Sequence, residues 1–273
     1  MGITLSLELM ELANNPLGLR IVNTTRYVTP LREGGSMPGI IEADDGFNYV
    51  LKFKGAGQGT KALIAELIGG EIARMLGFNM PELVYVNLAE GFGRLEGDEE
   101  IQDLLQGSVG LNLGLHYLSG AITFDPVATD LDEKLSSQIV WLDALLMNMD
   151  RTVRNTNMLW WHKELWLIDH GASLYWHHSW NKTDGKQAFP IVSKHVLLHK
   201  ATQLDIVDQE FRPLLSEEVI DRIVNSIPDD WLDDRSFETA DAQREVYKDF
   251  LITRVSHSQL FVKEADDARQ SLV

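Results

Sequence analysis

The stretch Met149–Trp161, MDRTVRNTNMLWW, is followed almost at once by Glu164–Gly171, ELWLIDHG. Asp150, Arg151 and Asn155 fall between an apolar helical pattern and a pair of Trp-rich strand patterns, and Asp169 stands at the end of the second strand. Upstream, a D-x-x-E capping box opens at Asp130, and Leu135, Ile139, Leu142, Leu146 and Met149 recur behind it at helical spacing. Downstream, NMLWW and ELWLID read as strands around a turn at His162 and Lys163. The order is therefore helix, loop, hairpin. Asp150 and Asn155 sit on the loop at the hairpin's mouth, and Asp169 emerges beside them.

Two carboxylates and an amide where three apolar elements meet suit phosphoryl transfer. One carboxylate orients or deprotonates an attacking hydroxyl, while the amide and the second carboxylate hold magnesium against nucleotide phosphates. Hard oxygen ligands fit magnesium better than a softer metal. A capped helix end and an Asp-His turn would explain each residue taken singly. The ordered set is what argues for chemistry.

That chemistry needs a cation on the phosphates and a turn that binds them. In YVLKFKG, Tyr49, Leu51 and Phe53 face one way, and Val50, Lys52 and Lys54 the other. Lys52 is central and so partly buried. REGGSMPG precedes it, where Gly34 and Gly35 let backbone amides approach an anion and Ser36 adds a hydroxyl. GAGQG at 55–59 is a second glycine-rich turn, and neither is a P-loop, which needs Gly-Lys-Ser/Thr.

Around these motifs the texture changes once. From Leu19 to about Leu118, RIVNTTRYV, MPGIIEA, FNYVLKFKG, ELVYVNL and VGLNLGLHYL read as strands. One helix, Thr60 to Leu76, interrupts them, and an acidic one lies near Asp98 to Gln106. Beyond Ser119 helices dominate, with amphipathic patterns near Ser216 to Ile227 and Ala240 to Phe261. The pattern predicts an α+β fold of two lobes with a cleft between them: 1–118 strand-rich, 119–273 mainly helical.

Composition narrows the function classes. The chain has 273 residues, 44% of them hydrophobic, which is enough for one large domain or two lobes. With no cysteine, zinc–thiolate and iron–sulfur sites are excluded and a reducing cytoplasm is the natural compartment. No apolar run approaches the roughly 18 residues of a membrane span, and the start lacks a signal-peptide pattern. A net charge of −17 argues against nucleic-acid and membrane-surface partners.

Lys52 should have an acidic partner on the first long helix. On a helical wheel Glu71 falls inside the apolar stripe of Ile64, Ile68, Ile72 and Met75, whereas Glu66 points away from its centre. Burial alone chooses Glu71.

The order of GGSMPG, YVLKFKG, LIAELIGGEIARMLGFNMPELV, MDRTVRNTN and LWLIDHG resembles the HipA-like kinase family, from about Leu31 to about His178. The resemblance implies a two-lobed fold akin to protein and phosphatidylinositol kinases, using ATP and Mg2+ to phosphorylate a hydroxyl acceptor, foremost a protein Ser/Thr. It matches Gly34, Gly35 and Ser36 to the phosphate loop and Lys52 to the nucleotide lysine. Glu66, in the AEL before IARMLG, takes the register of the helix glutamate, against the burial argument. Leu115 and Tyr117 would lie on the hinge beside adenine. Asp150 matches the catalytic aspartate, Asn155 and Asp169 the metal ligands. The loop departs from the family's usual Asp-Gly-His with Lys-Asn after it and is closer to the Asp-Arg-His of lipid kinases. That departure leaves the acceptor and any antitoxin partner open. A pseudokinase interaction module, a kinase for a small molecule and a nucleotide transferase on the same fold are the alternatives.

Three other features read as structural. WHHSW at 176–180 is a packed surface turn rather than a metal site with His170, and most tryptophans are core. The acidic run PDDWLDDRSFETADAQ is a solvated linker and helix start.

Overall fold

The computed structural model describes residues 15–31, 37–94, 96–180 and 184–272. The Gly34–Ser36 turn lies outside the described residues.

Strands β1 (Ile21–Pro30), β2 (Gly39–Ala43) and β3 (Asn48–Lys52) run as an antiparallel meander. Helix α1 (Gly59–Met75) follows, then β4 (Leu83–Leu88), helix α2 (Glu99–Gly107) and β5 (Gly110–His116). The strands close into a barrel in the order β1-β2-β3-β5-β4, with β1 and β4 joined in parallel. Closure leaves no open sheet edge. The expected alternation holds along β3: Tyr49, Leu51 and Phe53 are buried against Val22, Ile41, Val84 and Val86, while Lys52 points out of the barrel toward α1. On β5, a Cβ at Gly114 would stand 2.6 Å from a Val86 methyl, so only glycine lets β4 and β5 pack there.

Beyond the barrel come β6 (Ile122–Thr123), α3 (Glu133–Leu146), and the hairpin of β7 (Met158–Trp161) and β8 (Glu164–Leu167). His162 and Lys163 form its two-residue turn with φ of 50° and 70°, the left-handed pair that matches strand twist. Helices α4 (Leu204–Phe211), α5 (Glu217–Asn225), α6 (Ala240–Ser256) and α7 (Gln259–Gln270) complete the second lobe. Its core is built around the fully buried Trp141 of α3, with Phe211 and Phe261 at 5.5 Å ring separation on either hand. The two-lobed α+β expectation holds, strands in front and helices behind. Among the described residues no helix is long and apolar enough to cross a membrane.

Several local expectations change. The cap of α3 is Asp132, whose side chain accepts from Leu135 N–H at 2.8 Å, while Asp130 pairs with Lys200. Burial of Leu131 carries the chain inward before the helix turns. The predicted helix Ala240–Phe261 breaks at His257–Ser258, because Phe261, Val262 and Ala265 turn toward the core beneath α3. Helix α4 carries too short a pattern to read alone; its Val207 and Phe211 are buried under Trp141. The acidic run is not a solvated linker: Trp231 is fully buried and donates to the Leu111 carbonyl of β5 at 3.0 Å. WHHSW is the packed turn expected, with Trp176 and His177 buried and His178 and Ser179 exposed.

Helix α1 departs most. A one-sided stripe implies an exposed back, yet α1 is buried from Leu63 to Ala73 on every face. The barrel covers one side and the helical lobe the other, which is the setting of a helix apolar all round. Glu66 is therefore as fully buried as Glu71.

Candidate active site

Helix α3 ends at Leu146, and Met147 turns the chain with φ 54°. On the last turn Asp143 is completely buried and gathers three donors: Asn148 Nδ2 at 2.9 Å, His195 Nε2 at 2.9 Å and Arg151 Nε at 2.5 Å. Burial works to raise its pKa. The charges and hydrogen bonds of Arg151 and His195 more than offset this and hold the carboxyl well below the usual carboxylate range. Arg151, also buried, spends its remaining donors on the carbonyls of Thr156 and Asn157 and lies 3.3 Å from His170 Nε2. Asn148 Oδ1 accepts the Asp150 N–H at 3.1 Å. One buried carboxylate thus sets both ends of the loop. Asp150, at its start, accepts from Asn155 Nδ2 at 2.7 Å and Asn157 Nδ2 at 3.4 Å.

Asp143 and Arg151 escaped the reading of the sequence as site residues. A signal was there: a carboxylate inside WLDALL must find a cation, and Arg151 is the next one along the chain.

Across the cleft, Lys52 Nζ is 2.6 Å from Asp169 Oδ1 and 3.3 Å from Glu66 Oε2. Glu71 turns the other way and pairs with Arg74, one turn along the same helix. The choice between the glutamates falls to Glu66, because α1 aims it at β3 and leaves Glu71 a cation of its own. Burial works to lower the Lys52 pKa, and the two carboxylates more than offset it, so the ammonium stays charged. One cation cannot neutralise two carboxylates, of which Glu66 is fully buried and Asp169 faces the cleft half-exposed. Burial and the Asp169 charge raise the Glu66 pKa despite Lys52, while Lys52 keeps Asp169 low against its own desolvation. Neither Glu66 oxygen has a well-aligned hydrogen-bond donor among the described residues.

If the ion pair with Lys52 matters to turnover, Glu66→Gln lowers kcat at least about tenfold with the fold intact, while Glu71→Gln leaves kcat within about threefold. Steady-state kinetics beside thermal melts check this; a larger kcat loss for Glu71→Gln would reverse the assignment.

Asp169 has a left-handed backbone, φ 57°, and delivers His170 beneath α1, where a Cβ on Gly69 would approach His170 Cβ to 2.6 Å. Burial and then Arg151 push the His170 pKa down to about 3, so its ring is neutral. His177 lies elsewhere, its Nδ1 3.1 Å from the Tyr247 hydroxyl.

A cavity of about 450 Å³ lies between the lobes. Val50, Leu115, Tyr117, Met158 and Ile168 are among its walls, with Lys52, Asn155 and Asp169 at its polar end. Leu31 and Pro38, on either side of the glycine-rich turn, also line it. The cavity brings together Lys52, Leu115, Tyr117, Asn155 and Asp169, with Glu66 behind Lys52 and Asp150 bonded to Asn155. The Asn155 side-chain nitrogen donates to Asp150 and its backbone carbonyl accepts from Thr152 N–H, which leaves the side-chain Oδ1 to accept from or ligate another partner. With the Asp169 carboxylate it offers hard oxygen donors, the set that suits magnesium.

The sequence profile of the HipA-like kinase family matches residues 25–261. No curated protein matches the chain. Among solved structures, the Helicobacter pylori proinflammatory kinase CtkA is similar in fold, with a TM-score of 0.50 and 11% identity over 93% of this chain and 98% of that one. The Golgi casein kinase solved with Mn/ADP gives a TM-score of 0.41 and 11% identity over 93% of this chain and 76% of that one. At such identity the likeness to CtkA speaks for the fold alone. The family profile spans most of the chain, and the protein belongs to the HipA-like kinase family, a phosphotransferase by that membership.

Proposed function

We propose that this kinase transfers the γ-phosphoryl group of ATP, held with Mg2+, to a hydroxyl acceptor, foremost a protein serine or threonine. The observation that carries the reading is the convergence of two arrangements on one cavity: Lys52 between Glu66 and Asp169, and Asp150 bonded to Asn155. In this reading 1–118 is the nucleotide-binding lobe and 119–273 the catalytic one. Leu115 and Tyr117 flank adenine, and Gly34, Gly35 and Ser36 hold the phosphates. Lys52, oriented by Glu66, neutralises phosphate charge. Asn155 and Asp169 are the magnesium ligands, and the metal supplies charge neutralisation of the phosphates when bound. Asp150 takes the proton of the acceptor hydroxyl as the new O–P bond forms and the bond to the ADP oxygen breaks. A cytoplasmic setting without nucleic-acid or membrane partners accords with the lack of cysteine and the net charge of −17.

The first test is metal-dependent nucleotide binding. ATP with magnesium stabilises the fold by about 2.7 kcal/mol at a hundredfold excess over Kd, and a chelator removes most of that gain. Equal melting shifts with and without magnesium would sink the metal assignment. Transfer of labelled γ-phosphate to protein in a lysate, lost on phosphoserine/phosphothreonine hydrolysis, tests the acceptor class.

A further inference from the structure

Everything proposed for Lys52 depends on where α1 stands, and α1 is tied down at its first turn. Lys61 Nζ lies 2.7 Å from Asp234 Oδ2, with the two side chains 20% and 18% exposed. Trp180 Nε1 donates to the same Asp234 oxygen at 2.7 Å, and the Lys61 ammonium sits 5.0 Å from the centre of the Trp180 ring. Phe237 closes edge-on over that ring at 4.6 Å. The Asp234 backbone N–H reaches Gln243 Oε1 of α6 at 3.4 Å, and its second oxygen accepts from Ser236 N–H at 2.9 Å. Burial works to raise the Asp234 pKa, but the Lys61 and Trp180 hydrogen bonds bring it well below the usual range.

The same segment grips the barrel. Ser226 O accepts the Tyr85 hydroxyl of β4, and Trp231 packs edge-on against Tyr85 at 5.9 Å while bonding β5. The chain from Ser226 to Asp234 therefore runs from the helical lobe across β4 and β5 to α1. Lys61 and Glu66 are five residues apart, about 7.5 Å along the axis, so a hold on the first is a hold on the second.

We propose that Lys61, Asp234 and Trp180 form a latch that positions α1, making them positioning residues for the Glu66–Lys52 pair; this rests on the kinase reading above. An acidic stretch that reads as a solvated linker becomes part of the catalytic assembly. With the latch closed, α1 presents Glu66 to Lys52.

The test is a cycle of Lys61→Met, Asp234→Asn and the double variant in the full chain, read well below the melting temperature. Three measurements are made: hydrogen exchange of the α1 amides, kcat, and KM for ATP. Each single change is expected to speed exchange in α1, and not in the barrel strands, by about tenfold. It should lower kcat by a similar factor with KM for ATP less affected, and the double variant should be no worse than either single. Unchanged α1 exchange overturns the latch. Faster α1 exchange with wild-type kcat overturns the positioning role, and so does additive loss in the double variant. A wild-type protein without phosphotransfer, whose α1 exchange still answers to both single changes, supports the latch and rejects the kinase reading instead.

Discussion

Asp150→Asn is expected to leave ATP affinity within about threefold of wild type while single-turnover phosphoryl transfer falls by about 10²–10⁴, the usual worth of a positioned general base. The amide keeps the size of the carboxylate and can still meet the Asn155 and Asn157 side chains, which donate to Asp150 at 2.7 and 3.4 Å. It loses only the charge that takes the proton. Asp169→Asn should behave differently. It weakens a magnesium ligand and removes one of the two carboxylates on Lys52, so magnesium-dependent ATP binding and turnover fall together. A purely structural role for both residues predicts loss through stability, with affinity and rate never separating. ATP titrations and single-turnover rates on the two variants decide between these outcomes. Wild-type turnover by Asp150→Asn would remove the catalytic reading of MDRTVRNTN.

The second large effect concerns Asp143, which lies on the far side of the loop from the cavity. Asp143→Asn leaves the buried Arg151 guanidinium without its counter-charge, and His195 and Asn148 without a charged acceptor. Breaking a buried pair from one side costs about 3–5 kcal/mol. A drop of that size is expected in denaturant unfolding. Because Asn148 also holds the Asp150 N–H, the folded fraction should show reduced kcat with ATP affinity retained. Replacing both partners, Asp143→Leu with Arg151→Met, should destabilise less than Asp143→Asn alone, since no charge is then stranded. A change under about 0.5 kcal/mol for Asp143→Asn would show that the pair carries no structural weight.

Much of the fold was legible because its signals are local. Alternation along YVLKF, the left-handed turn at His162–Lys163 between two Trp-rich strands, and the apolar spacing from Leu135 to Leu146 each constrain a few neighbouring residues. The order of motifs along the chain pointed to the family, which the profile match over residues 25–261 establishes independently. The loop at Asp150 was legible as a cluster for the same reason: Asp150 and Asn155 are five residues apart and share one turn of chain.

What the local pattern could not carry is burial imposed by a distant part of the chain. The helical wheel made Glu71 the inward glutamate of α1, yet both glutamates are buried, and the difference between them lies in their neighbours: Lys52 for Glu66, Arg74 for Glu71. Asp143 is an ordinary helix residue until Arg151, Asn148 and His195 close around it. The acidic run around Asp234 looked solvated by composition, and became a strap because Lys61, Trp180 and Leu111 wait where it passes. By itself the sequence determined most of the elements, their order and the residue types at the cleft, since periodicity and turn chemistry act over a few residues. Only the tertiary structure decided which charges are partnered, because a buried charge is settled by whatever the fold brings within about 4 Å of it.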